Sequence, residues 1–155
     1  MDTVITTNSE QETETLGQTV GELLFPGAVL LLDGNLGAGK TAFARGVARG
    51  LGVTKPVQSP TFTILYAHSG RLAFYHFDLY RLEDEQELLD IGIDEYLDDE
   101  GVSLVEWAGK FPTFFTMPSM YITIVRGQGE DVREIKFSAG EERYRQLLTE
   151  LLARS

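Results

Sequence analysis

Cysteine is absent from the 155-residue chain, which excludes a disulfide framework, a cysteine nucleophile and a thiolate metal centre. Histidine occurs only 2 times, too sparsely for a His-rich metal site. Basic residues are scarce: 13 Lys and Arg stand against 24 Asp and Glu, a formal net charge of −11. So acidic a chain is a poor nucleic-acid binder on its own, because phosphate contacts need cations. It suits an anionic membrane surface no better. Long apolar runs are missing too, the longest, Ala28 to Leu32, being far too short to span a bilayer. Met1 to Glu14 is polar and acidic, unlike a signal peptide or a basic transit peptide. There is no internal repeat and no low-complexity tract. These absences point to a cytoplasmic protein with no membrane partner.

What is present is ordinary for a globular chain: 43% hydrophobic and 24% charged residues. The length fits a single domain, 1–155, that buries roughly two-thirds of its unfolded surface without a disulfide or metal. Ser9-Glu10-Gln11-Glu12 reads as a capping box, and Leu16, Val20, Leu23 and Leu24 share one helical face after it. Ala28 to Asp33 suits a strand buried on both faces, and a helix is predicted from about Lys40 to Leu51. Thr61 to His68 and Arg71 to Asp78 read as a β-hairpin around Ser69-Gly70. Leu82 to Leu97 is acidic and helical, with a break near Gly92. Val102 to Trp107 is a short strand, Met120 to Arg126 and Val132 to Phe137 form a second hairpin, and Glu141 to Ala153 is a closing helix. Lys110 to Pro118 is a loop. The fold class is α/β, a mixed central sheet flanked by helices and extended by antiparallel hairpins.

The strongest motif is Gly34-Asn35-Leu36-Gly37-Ala38-Gly39-Lys40-Thr41, which fits G-x-x-x-x-G-K-[ST] between a buried strand and a helix. Glycines let successive N–H groups point inward at phosphate oxygens, and the helix start adds its positive dipole end. Nucleotide contacts are expected from Asn35, Leu36, Gly37, Ala38, Gly39, Lys40, Thr41 and Ala42. Lys40 reaches the β- and γ-phosphates, and the Thr41 hydroxyl is a Mg²⁺ ligand. Such a loop needs a further acid for the metal and a group that places the attacking water or acceptor. Glu106, where the apolar run Val102 to Val105 ends, has that placement, and Asp78 ends the strand Phe74 to Phe77. The Ser59-Pro60-Thr61-Phe62 segment stands where a γ-phosphate-sensing switch would sit. His76 stays open between a hydrogen-bonded core residue and a catalyst, Arg81 between a phosphate contact and a pair with the acidic helix after it, and Trp107 between stacking on a partner and filling the core edge. The acids from Glu83 to Glu100 read as a solvated face or a docking face. No arginine lies there to close a kinase lid, which leaves Arg126 and Arg133 as weaker lid candidates. The absence of an Asn-Lys-x-Asp motif favours ATP over GTP.

Gly34 to Thr41, Ser59-Pro60-Thr61-Phe62, His76-Phe77-Asp78-Leu79-Tyr80-Arg81 and Leu104-Val105-Glu106-Trp107, in this order and at this chain length, resemble the TsaE (YjeE) family. That family is the small ATPase component of bacterial tRNA threonylcarbamoyladenosine (t6A) biosynthesis. The resemblance implies an ATP- and Mg²⁺-dependent ATPase that works with TsaD and TsaB subunits and meets tRNA only through them. It implies Thr41 and Glu106 as metal ligands, and Asp78, with Lys40 and Glu106, in hydrolysis. It also implies an approach of Glu10 and Gly129 to the adenine. Two other readings are a small-molecule kinase and a nucleotide-dependent binding module without turnover.

Overall fold

The computed structural model describes residues 1–35, 37–56 and 64–154. The chain runs β1 (Asp2–Thr7), α1 (Glu10–Leu23), β2 (Val29–Asp33), α2 (Lys40–Gly50), β3 (Leu65–His68) and β4 (Phe74–Asp78). It continues through α3 (Glu85–Asp90), α4 (Ile93–Leu97), β5 (Val102–Glu106), β6 (Met120–Arg126), β7 (Arg133–Ala139) and α5 (Glu142–Arg154). A 3₁₀ turn at Ala108–Lys110 follows β5. The strands form one seven-stranded sheet in the order β1-β7-β6-β2-β5-β4-β3. The four inner strands β6, β2, β5 and β4 run parallel. The outer pairings, β3 with β4, β6 with β7 and β7 with β1, are antiparallel. The mixed sheet expected from the sequence is therefore present.

Parallel strands buried on both faces are apolar throughout, and β2 and β5 follow that rule. Leu30 and Leu32 face a core shared with Val20, Phe43, Val47 and Leu148 from α1, α2 and α5 and with Phe137 from β7. Val29 and Leu31 face a second core with Phe77, Leu88, Ile93, Val105 and Phe111. The Lys110 to Pro118 loop contributes Phe111, Phe114 and Phe115 to that second core. Tyr144 on α5 pins the start of β2: its hydroxyl accepts the Val29 N–H at 2.8 Å and donates to the Pro118 carbonyl at 3.3 Å.

The Ser9 hydroxyl caps α1 by accepting the Glu12 N–H at 3.0 Å, while Glu12 reaches back to the N–H of Asn8. Gly92, in a left-handed conformation (φ 72°), separates α3 from α4 at the expected break. One element departs from the sequence reading. Met1 to Glu14 shows no strand signal, yet Asp2–Thr7 forms the edge strand β1. Only Thr7 in it is buried and Val4 is exposed, so neither an apolar run nor a clean alternation marks it. Its partner β7 decides its conformation. No helix among the described residues is long and apolar enough to cross a membrane.

The helix that leaves the glycine-rich turn, α2, is held backbone to backbone against α1. A Cβ added to Gly46 would overlap the main-chain oxygen of Glu14, and one on Gly17 would overlap that of Phe43. Ion pairs Arg45–Glu10 at 2.6 Å and Arg49–Glu14 at 3.0 Å flank the contact on the solvent side. Exposed pairs of this kind contribute little, so the close approach itself sets the packing. Gly46→Ala is expected to force the helices apart and to destabilise the fold by about 1–3 kcal/mol, the usual cost of overpacking. Urea unfolding measures this; an unchanged midpoint would show that α1 is free to move.

Candidate phosphate-loop site

The turn after β2 is shaped by glycine. Gly37 (φ 77°) and Gly39 (φ 106°) occupy left-handed backbone regions that other residues enter only with strain. Gly39 sits at the N-cap of α2 and gives it no side-chain cap; its carbonyl accepts the Phe43 N–H at 3.0 Å. The first-turn N–H groups of α2, from Lys40, Thr41 and Ala42, therefore have no side-chain acceptor, the condition that makes a helix start an anion site. The Asn35 carbonyl accepts the Ala38 N–H at 3.0 Å and closes the turn. From outside, the β6–β7 hairpin grips the loop. Arg133 Nε donates to the Ala38 carbonyl at 2.9 Å, and Arg126 and Arg133 both reach the Gly37 carbonyl at 3.4 Å. Because the peptide unit is planar and trans, drawing the Ala38 carbonyl outward turns the Gly39 N–H toward the opposite side.

Lys40 is buried, unusually for a lysine. Its ammonium donates to the Gly34 carbonyl at 2.5 Å and lies 3.9 Å from the centre of the Trp107 ring. Burial pushes its pKa down, opposed by the negative charges of Glu106, Asp78 and Asp33. Those acids end β5, β4 and β2 respectively. Trp107, directly after β5, is the one non-glycine residue with positive φ among the described residues (65°). Its ring also packs on Tyr80, with centroids 4.9 Å apart.

Asp78 and Glu106 are register partners on adjacent parallel strands. Burial raises the pKa of Asp78 and the charge of Glu106 raises it further. The Tyr80 N–H, which Oδ1 accepts at 3.0 Å, opposes this, as do Lys40 and His76. Glu106 Oε2 lies 2.5 Å from His76 Nε2 inside the protein. Asp33 accepts the Gly109 N–H at 3.4 Å. Tyr121 bonds to Asp33; burial first, then that bond, pushes its hydroxyl up to about 12.

Among the described residues no group of three or more His, Cys, Asp and Glu could hold a metal unaided. The donors present, an exposed Thr41 beside the loop and the Glu106 and Asp78 carboxylates, suit an ion that keeps phosphate oxygens or water as its remaining ligands. Magnesium fits that description; a structural zinc does not.

The structure thus gathers Asn35, Gly37, Ala38, Gly39, Lys40, Thr41, Ala42, Asp78 and Glu106 around the carboxyl ends of the parallel strands. Leu36 and the Ser59–Phe62 segment lie outside the described residues. Glu10 starts α1 and is engaged by Arg45 across the helix pair. Gly129 (φ 111°) forms the tip of the hairpin whose Arg133 holds the loop. Asp33, Tyr121 and the two hairpin arginines join the site without any motif of their own. Only the position of Asp33 at a strand end marks it in the sequence.

Folding raises the Asp78 pKa, so its ionised form weighs against the native state above that pKa and ceases to do so below about 3.8, the unfolded value. Asp78→Asn is therefore expected to melt at higher temperature than wild type at pH 7. The advantage shrinks as pH falls toward 3.8. Thermal melts at several pH values test this; a lower melting temperature at pH 7 would mean that attraction to Lys40 outweighs desolvation.

Comparison with known proteins agrees with the geometry. The family model described as "Threonylcarbamoyl adenosine biosynthesis protein TsaE" matches residues 7–135. A tRNA threonylcarbamoyladenosine biosynthesis protein TsaE from Bacillus subtilis is 46% identical over 146 residues, covering 94% of this chain and 90% of the relative. The protein of the same name from Treponema pallidum is 41% identical over 128 residues, covering 82% and 93%. The crystal structure of Bacillus subtilis YdiB superposes with a TM-score of 0.86 at 38% identity, over 99% of this chain and 96% of that one. With the loop, the paired carboxylates and the sheet order all in place, the chain belongs to the TsaE family.

Proposed function

We propose that this protein binds ATP with Mg²⁺ at the Gly34–Thr41 loop and hydrolyses it, as the ATPase component of a tRNA threonylcarbamoyladenosine modification system. The observation that carries the reading is the buried Lys40 ammonium at the foot of the loop, faced by Asp78 and Glu106 from two neighbouring strand ends. In this reading the loop N–H groups and Lys40 hold the β- and γ-phosphates. Thr41 and Glu106 would hold the metal, which would supply positive charge to the phosphates. Asp78, whose burial makes it a stronger base than a solvated carboxylate, orients a water and takes its proton. The water oxygen bonds to the γ-phosphorus as the bond to the β-phosphate bridging oxygen breaks, leaving ADP and inorganic phosphate.

The family name gives the context: TsaE relatives are named for t6A biosynthesis. A net charge of −11 supports a protein that reaches tRNA through TsaD- and TsaB-like partners, which supply the basic surface. The place of work is then the cytoplasm.

Trp107 is the single tryptophan and touches Lys40, so its fluorescence reports nucleotide binding. Lys40→Ala is expected to weaken ATP binding by about 10- to 100-fold, the loss of charge-assisted bonds. Tight, metal-dependent binding by that variant would overturn the assignment of the loop. Asp78→Ala is expected to bind ATP and to hydrolyse it about 100-fold or more slowly; turnover at the wild-type rate would remove Asp78 from the mechanism. Phosphate release with and without a TsaB–TsaD pair tests the partnership. Stimulation by the pair supports it, whereas stimulation only by a metabolite would make the protein a kinase.

A further inference from the structure

We propose that His76 is a positioning residue that holds the Glu106 carboxylate for metal binding, a role that rests on the reading of Glu106 as a Mg²⁺ ligand. The two side chains meet on one face of the sheet. On β4, Phe74, His76 and Asp78 alternate onto the same side, and on β5 so do Val102, Leu104 and Glu106. The register partner of Glu106 is Asp78, and that of His76 is Leu104. The Glu106 side chain therefore leans back along the sheet, by one residue pair, to reach the imidazole. Its Oε2 is fixed there at 2.5 Å from Nε2. Between a carboxylate oxygen and a ring nitrogen the nitrogen donates, so one carboxylate oxygen is spoken for and the other is left to face the site.

The imidazole has no other polar task among the described residues. His76 is 1% exposed, and its Nδ1 is buried without a hydrogen-bond partner there. Around it the face is apolar: Phe74, Val102 and Leu104 are all fully buried. A phenylalanine or leucine would pack here without an orphaned nitrogen, which costs about 1–3 kcal/mol when left unsatisfied. Stability alone thus disfavours histidine at this position, and the one thing histidine supplies is the bond to Glu106.

The ring is also clamped in orientation. It stacks on Phe74 with centroids 5.8 Å apart and planes 25° apart. Phe74 stacks in turn on His68, and His68 on Tyr66, in a four-ring row across β3 and β4. Such a row leaves the donor nitrogen little freedom to swing. Outer partners that orient a metal-binding side chain typically change metal affinity by about 10- to 100-fold when removed.

The test uses Trp107 fluorescence in the full chain. Mg²⁺ is titrated at fixed ATP to give the metal midpoint, and ATP is titrated in EDTA to give metal-free affinity. His76→Phe keeps the stacked ring and removes the donor. It is expected to raise the Mg²⁺ midpoint about 10- to 100-fold while metal-free ATP affinity stays within about twofold of wild type. His76→Gln, whose amide can donate from a similar point, is expected to recover most of the loss. An unchanged midpoint in His76→Phe would overturn the proposal. So would a loss of metal-free binding of equal size, which would mark a structural role, and so would His76→Gln behaving like His76→Phe. Should His76→Phe fail to fold by circular dichroism, His76→Leu carries the same comparison. A wild-type protein with no Mg²⁺ response at all would instead overturn the proposed metal site itself, and the role of His76 with it.

Discussion

The arrangement of this molecule turns on one buried positive charge. An ammonium taken out of water must be met by partners or it costs several kcal/mol. Lys40 is met by the Gly34 carbonyl, the face of Trp107 and the charges of Asp33, Asp78 and Glu106. Those three acids belong to three different strands. They converge only because β2, β5 and β4 are adjacent, parallel and in a register that ends them together. Antiparallel neighbours would have sent the acids to opposite edges of the sheet. The crevice at the carboxyl ends of parallel strands is where such sheets bind ligands, and here it is also where the lysine needs its counter-charges.

That requirement passes outward into the rest of the fold. Lys40 opens α2, so the ammonium is only as well placed as the helix, and α2 is set by its glycine-mediated contact with α1. The loop between β2 and α2 is steadied on its outer side by Arg126 and Arg133. The donors of these two cations go to main-chain carbonyls, among them those of Gly37 and Ala38 in the loop. A chain with net charge −11 thereby gathers three of its few cations, Lys40, Arg126 and Arg133, beside one helix start. Net charge and local field are separate quantities, and a polyphosphate responds to the local one.

Much of this was legible in the sequence, for identifiable reasons. The phosphate loop, the flanking strand and the helix are encoded by neighbours along the chain: glycines, an apolar run and a capping pattern. Asp78 and Glu106 were legible as strand-end acids. The edge strand β1 was not, because its Thr-rich residues carry no periodicity and its conformation comes from pairing with β7, more than a hundred residues away. Nor was the His76–Glu106 bond, which joins residues 30 apart through the β4–β5 register. The clasp of Arg133 on Ala38 spans 95 residues and leaves no trace in local pattern.

The sequence by itself therefore determined the groups on offer: a glycine-rich turn, a lysine, a threonine and two acids, each placed by short-range rules of turn and strand. The tertiary structure alone decided how those groups face one another. It chose which oxygen of Glu106 is occupied, which carbonyls the arginines hold, and that Lys40 is buried among three acids rather than solvated. The reason is physical. Backbone propensity acts over a few residues, whereas the charge state and orientation of a buried group depend on everything packed around it.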